Sequence, residues 1–343
     1  MKSWQKHFGT NEPQLVEVPV PKTPDDGLLV KLRAAGICHS DYLLLNTEPR
    51  PPNWPVDKWT LGHEGCGAIV EIGPSAQGDF QLGDIVAILS VAGCQLPECG
   101  ECSRGLTQLC TTGQRYGIAW DGSYAPYIAI KAWSAVKLPA GVPPEIGAVA
   151  TDACLTAYHA VVGTGQIEQG ETVLIVGAGG LGFNALQIAL AQGARVIVAD
   201  TRQEVLDEVA KFVPREDIIP AGTSVVEFVK QNNLVVDTIV DFVGLESTFT
   251  ASQEAVRIGG KVVQVGLLSP ELKLNNVLSV RKQTSILCSY GGTMTDLKAC
   301  LSLIAEGKLH PQVEHGRFED FAKIIHDLHE GKIKSRIAIV FDE

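Results

Sequence analysis

Apolar and polar positions fall into two textures along the chain. Up to about residue 140 the apolar runs are short and alternating, as at 28–32, 68–72 and 127–130, and turn residues flank each one. Short strands at such spacing predict an irregular barrel or sandwich. From about residue 171 the pattern changes to apolar strand followed by amphipathic stretch, repeated. Strands are predicted at 172–176, 195–199, 217–219, 237–241, 261–265 and 285–288. Six strands joined by helical crossovers is the count of a doubly wound, dinucleotide-binding α/β domain. The tail returns to a mixed texture, with helices predicted at 296–306 and 319–330 and a closing strand at 337–341.

A length of 343 residues fits two domains. The textures divide them as 151–289 for the dinucleotide domain, and 1–150 together with 290–343 for a mainly β domain. Lys and Arg number 28 against 39 Asp and Glu, a net charge of −11. That balance argues against nucleic acid or an anionic membrane as the main partner, since each calls for a basic patch. The most apolar region, 173–199, is interrupted by glycines, Asn184, Gln187 and Arg195, so it reads as buried core and not as a membrane span. The first residues lack the apolar stretch of a signal peptide. Nine cysteines, four of them within 94–110, point to metal binding in a reducing compartment, and a cytoplasmic location is expected.

The first chemical motif follows strand 172–176. Gly177, Gly179 and Gly182 form G-x-G-x-x-G, with Gly180 and Leu181 inside it, and an apolar-periodic helix begins at once (Ala185, Ile188, Ala189, Ala191). Gly177 permits the tight turn, Gly179 lets backbone approach a pyrophosphate, and Gly182 lets the helix pack close to its strand. The helix start adds N–H donors and partial positive charge. Asp200 ends the next strand, 23 positions after Gly177. Its carboxylate can accept from both hydroxyls of an adenosine ribose and repels a 2′-phosphate, so NAD is predicted over NADP. Arg202 is close enough to soften that preference, which leaves dual use open.

Two sets of metal-ligating residues stand in the first texture. Cys94, Cys99, Cys102 and Cys110 have the density to surround one tetrahedral zinc in a closed structural site. A more scattered set lies at 36–41, 62–65 and 151–154, including Cys38, His63, Asp152 and Cys154. A lone Cys or His is more often packed than a ligand. Together they supply the three N, S or O donors that a catalytic zinc takes, with a fourth position open.

These segments resemble the zinc-dependent medium-chain alcohol dehydrogenase family over essentially the whole chain, most of all its yeast and fungal secondary-alcohol dehydrogenases and carbonyl reductases. The carriers are the 35–41 and 61–67 segments, the four-cysteine lobe, the glycine turn with Asp200, and the stretch 331–336. The resemblance implies a Rossmann cofactor domain plus a GroES-like catalytic domain, two zinc ions per chain, and NAD(H). Cys38 and His63 match the first two catalytic zinc ligands. The position of the third holds Asp152, with Cys154 as rival; residues two apart on a helix face different ways, so only one reaches the metal, and Asp152 is favoured. Glu64 matches the glutamate beside the metal. Ser40 matches the hydroxyl that begins a proton relay, although the relay's usual terminal histidine is replaced by Leu43. His39 is placed either in that relay or on the cofactor pyrophosphate, which Arg336 also contacts. Val243, Val265 and Leu267 fall on the loops over the nicotinamide ring. Trp54, Leu89, Tyr116, Trp120 and Tyr290 are candidates for an apolar substrate pocket, with plain core packing as the alternative.

The activity implied is reversible oxidation of alcohols, secondary ones above all, to ketones or aldehydes by zinc-assisted hydride transfer. The partners implied are a small alcohol or carbonyl substrate and further copies of the chain, a tetramer more than a dimer. Competing readings are a polyol dehydrogenase, a zinc-free quinone reductase and a non-catalytic dinucleotide binder.

Overall fold

The short alternating runs become β1 (Lys2–His7), β2 (Gln14–Glu17), β3 (Gly27–Ile37), β4 (Lys58–Thr60), β5 (Glu64–Ile72), β6 (Ile85–Leu89), β7 (Tyr127–Lys131) and β8 (Ala135–Lys137). The computed structural model describes residues 1–52, 54–333 and 335–341; Lys334, inside the 331–336 stretch, lies outside the described residues. By chain packing there are two units, Met1–Asp152 with Thr293–Glu306 and everything from Pro311, and Ala153–Gly292 with Gly307–His310.

In the first unit the centre is β3, eleven residues long and buried along most of its length because nearly every residue is apolar or glycine. It pairs antiparallel with β5 along one side and with β7 near its start. Leu28, Val30, Leu32, Ile69, Val86, Ile88, Ile128 and Ile130 close one core over this sheet. Each such side chain contributes roughly 1.5–3 kcal/mol when fully buried.

The second unit takes β9 (Thr172–Val176), β10 (Arg195–Ala199), β11 (Ile218–Ile219), β12 (Val236–Asp241), β13 (Val256–Gln264) and β14 (Ser285–Cys288). They form one sheet in the order β11-β10-β9-β12-β13-β14, parallel throughout, with the chain reversing direction of travel beside β9. Ligands of such sheets bind at that switch point, beyond the carboxyl ends of the strands. The run predicted at 261–265 starts earlier, at Val256; exposed Ile258 and two glycines interrupt the apolar pattern there. Residues 307–310 stay with this unit because His310 exchanges hydrogen bonds with Gln187, accepting at 3.3 Å and donating at 2.9 Å.

The chain then returns to the first unit with β15 (Val313–Gly316) and β16 (Arg336–Val340), and β16 pairs antiparallel with the end of β3. One helical run, 144–164, is long and apolar enough to cross a membrane, but two thirds of its most apolar window is buried inside the protein, as in a core helix.

Candidate active site

Register brings the first site together. Gly36 near the end of β3 is paired with Glu64 at the start of β5, and Ile37 is paired with Ile337, next to Arg336 at the start of β16. Cys38, His63, Glu64 and Arg336 therefore meet at one end of one sheet although 298 positions separate the first from the last. A Cβ at Gly36 would stand 2.1 Å from Glu64 Oε2, so glycine is what lets the Glu64 carboxylate lie against β3 as it does. Asp152 arrives from the helical run 144–164, on a π-helical turn at Ala150–Cys154. Such i→i+5 turns are rare and recur at functional sites.

One donor atom each from Cys38, His63, Glu64 and Asp152 lies within 4.8 Å of the others. Cys38 Sγ is 3.2 Å from Asp152 Oδ2 and 2.9 Å from Ser40 Oγ. His63 Nε2 is 3.7 Å from the same Asp152 oxygen. Cys154 is fully buried and outside this cluster, so of the two rivals the geometry brings Asp152 to Cys38 and His63.

The cluster has a supporting layer that the sequence does not disclose. Asp41 is completely buried, and its Oδ1 lies 3.2 Å from His63 Nδ1. A carboxylate on one ring nitrogen fixes the tautomer and leaves Nε2 to face a metal. Its Oδ2 accepts the Cys38 N–H at 3.0 Å and the Tyr124 hydroxyl at 2.6 Å. Asp41 is at the third position of the helix α1 (His39–Leu45), whose N-cap is Cys38. An acidic residue three positions after a cap was the signal available for it. Tyr124, 83 residues away, had none.

Arg336, expected on the cofactor pyrophosphate, donates to Glu64 Oε1 and stands 3.4 Å from Asp152 Oδ2. Its Nε and Glu64 Oε2 are buried and have no partner among the described residues. One guanidinium thus faces two carboxylates, with Asp41 behind His63 as a third. Burial opposes a charge on His63, but Asp41 first and then Asp152 outweigh it and hold the imidazole well above its ordinary value. An orphaned carboxylate oxygen, a thiol, an imidazole and a surplus of negative charge are what a zinc ion would complete.

The four lobe cysteines also converge, their sulfurs all within 4.8 Å. Cys94 to Cys102 and Cys99 to Cys110 are each 3.8 Å apart, the edge of a tetrahedron with metal–sulfur bonds of about 2.3 Å. The four residues between Cys94 and Cys99 are taken up in a turn, where Gln95 takes φ +60°. Burial raises the Cys110 thiol, but hydrogen bonds from the Thr112 side chain and nearby backbone bring it down to about 6, toward the thiolate that zinc binds.

In the cofactor turn a Cβ on Gly182 would fall 1.8 Å from the Gly177 carbonyl oxygen, so the helix Gly182–Ala191 lies tight against its strand. Asp200 Oδ2 accepts the Ala178 N–H at 2.9 Å, which ties the strand end to the glycine loop. Burial opposes the Asp200 charge, but Arg202 outweighs it and holds the carboxyl below its ordinary range. Val243 and Leu267 lie on two loops that interlock, because Gly244 packs onto the Gly266 carbonyl and a Cβ there would be 2.0 Å away. Buried Asp241, another residue missed in the sequence, accepts the N–H groups of Val243 and Gly244 and the Thr248 hydroxyl; its own carbonyl accepts from Val265 and Gly266.

Ser40 and His39 are half-buried at the start of α1. The His39 ring is 5.7 Å from that of His329; burial and then this second imidazole hold it below its ordinary value. Tyr116 is core: its hydroxyl donates to Gln114 and accepts from the Lys131 N–H, both at 2.7 Å.

Comparison with known proteins agrees with this geometry. Residues 24–140 match the alcohol dehydrogenase GroES-like domain, and residues 180–306 match the zinc-binding dehydrogenase domain. An alcohol dehydrogenase of Geobacillus stearothermophilus is 32% identical over 336 residues, 96% of each chain. The chain belongs to the zinc-dependent medium-chain alcohol dehydrogenase family. Another relative of this dehydrogenase is an acryloyl-coenzyme A reductase of Sulfurisphaera tokodaii, 34% identical over 88% of this chain and 87% of that one. Among solved structures, acetophenone reductase from Geotrichum candidum in complex with NAD is 32% identical, with a TM-score of 0.86 over 99% of this chain and 97% of that one.

Proposed function

We propose that this dehydrogenase interconverts secondary alcohols and ketones with NAD(H) and zinc. The observation that carries the reading is the convergence of Cys38, His63, Glu64 and Asp152, one donor atom from each lying within 4.8 Å of the others. Cys38, His63 and Asp152 would hold the catalytic zinc, and Cys94, Cys99, Cys102 and Cys110 the structural one. When bound, zinc supplies a Lewis acid that lowers an alcohol's pKa, and the nicotinamide exchanges the hydride.

The chain's own residues do the rest. Asp41 orients His63, and Arg336 balances Glu64 and Asp152. Ser40 Oγ, 2.9 Å from Cys38 Sγ, takes the substrate hydroxyl proton in oxidation and returns it in reduction. With Leu43 half exposed and unable to carry a proton, the onward path runs through water, the ribose hydroxyl or His39. The Asp241-braced loops hold the nicotinamide face, the Gly177–Gly182 turn cradles the pyrophosphate, and Asp200 takes the ribose. The family resemblance also supports a cytoplasmic location and a homotetramer. Exposed Leu268, Val277 and Val280 on the cofactor unit favour assembly.

A second reading, reduction of an activated carbon–carbon double bond, is favoured by the acryloyl-coenzyme A reductase relative. The test is absorbance at 340 nm with purified protein, NADH and a panel of ketones, aldehydes and an acryloyl thioester, before and after chelation. Chelator-sensitive oxidation of NADH by ketones is the expected result. Oxidation that survives complete metal removal, or that only the thioester supports, would overturn it.

A further inference from the structure

Tyr124 is completely buried behind the metal cluster, just before β7. Its segment runs beside the one that leads into His63. The Gly122 N–H donates to the Thr60 carbonyl at 2.8 Å, that of Ser123 to Gly62 at 2.7 Å and that of Tyr124 to Leu61 at 2.9 Å. The ring fills the space that a side chain at position 62 would need, since a Cβ on Gly62 would stand 2.7 Å from it. Phe321 packs on the same ring, with centroids 4.5 Å apart. Backbone and ring together fix where the hydroxyl points.

That hydroxyl meets two acceptors, Asp41 Oδ2 at 2.6 Å and the Gly36 carbonyl at 2.9 Å. It has one proton, and the shorter distance and the negative charge place that proton on Asp41. The last torsion of an aspartate side chain is soft, so the plane of its carboxylate is set by what its oxygens receive. Oδ2 receives Tyr124 and the Cys38 N–H, the latter at 3.0 Å, which aims Oδ1 at His63 Nδ1, 3.2 Å away. The tyrosine's bond is the shortest of the three. We propose that Tyr124 is a positioning residue for the catalytic metal: its hydroxyl locks the Asp41 carboxylate, and through it the His63 ring and the Cys38 backbone, in the arrangement that holds zinc. This rests on the zinc reading of Cys38, His63 and Asp152. Groups that orient a metal's ligands from behind carry about ten- to a hundredfold in metal affinity. Tyr124 acts one step further back, so the low end, about tenfold, is expected.

The test is Tyr124→Phe, which keeps the ring against Gly62 and Phe321 and removes only the hydroxyl. Zinc-loaded wild type and variant are titrated with a chromophoric chelator, and a dissociation constant is read for each of the two zinc ions. Asp152→Ala, in which only the lobe zinc is expected, tells the two apart. In Tyr124→Phe the catalytic zinc should be held about tenfold more weakly and the lobe zinc as in wild type. Phe321→Leu is the packing control: it loosens the ring and keeps the hydroxyl, so it should lower the Tm and leave both constants in place. An unchanged catalytic constant, an equal loss at both sites, or the same loss in Phe321→Leu would overturn the proposal. Wild-type protein that holds a single zinc would overturn it differently, by removing the zinc reading on which it stands.

Discussion

Asp200 and Glu64 are both carboxylates at strand ends, both shielded from water and both held by an arginine, yet Asp200 receives four N–H groups while Glu64 leaves Oε2 without a donor. The first pair is complete as it stands and its arginine is half in solvent. The second is sealed, with Arg336 only 8% exposed, and one guanidinium is set between two carboxylates. A buried polar atom left unpaired costs about 1–3 kcal/mol, more when charged, so such a site persists where something else completes it. The contrast separates a carboxylate whose hydrogen bonds are complete from one that keeps a buried oxygen unpaired beside a second carboxylate.

The sharpest way to break the cluster is at Asp152. Asp152→Ala should bring bound zinc down to about one equivalent per chain and lower turnover by more than about a thousandfold, the scale of losing a Lewis acid. Cys154→Ala should keep both zinc ions. Metal content by mass spectrometry and the 340 nm assay decide it. The reverse outcome would give the third ligand position to Cys154 and leave the π-turn at Ala150–Cys154 without a functional reason.

A smaller effect is expected at Arg336. Removing one partner of a buried pair costs about 3–5 kcal/mol because the other charge is stranded. Arg336→Met should therefore lower the Tm of zinc-free protein by about 10 °C. Zinc should restore most of that loss, since the metal supplies the charge that the guanidinium gave. If zinc-loaded and zinc-free proteins lose equal stability, Arg336 is balancing something other than the metal cage.

The same contrast governs what could be read from the sequence. Gly177 to Gly182, Asp200 and Arg202 lie within 26 residues, on elements whose period is plain, and their chemistry follows from spacing alone. The four lobe cysteines are equally local. The catalytic cluster is not, because the register of β3 against β5 and β16 decides which residues meet, and register is set by tertiary packing. Resemblance supplied Cys38, His63, Glu64 and Asp152, but it could not supply Tyr124 beneath Asp41 or the pairing of Arg336 with Glu64 across 272 positions. The helix at 144–164 shows a further limit, since its π-turns depend on packing and have no pattern of their own.

The smallest effect is a pH dependence confined to the first pair. Arg202 holds the Asp200 carboxyl below its ordinary value, so the group's folded pKa lies below its unfolded one. The stability this brings is present above the unfolded value, about 3.9, and is lost as pH falls through the folded value. Because Arg202 is 41% exposed, solvent screening limits the pair to about 1 kcal/mol at neutral pH. Denaturant melts of wild type and Arg202→Ala should differ by that amount at pH 7, and the two curves should converge below about pH 4. The deficit of Arg336→Met should follow zinc at fixed pH instead. A gap between wild type and Arg202→Ala that stays constant down to acid pH would mean that Arg202 acts by packing and not by charge, and the two arginines would then differ in burial but not in kind.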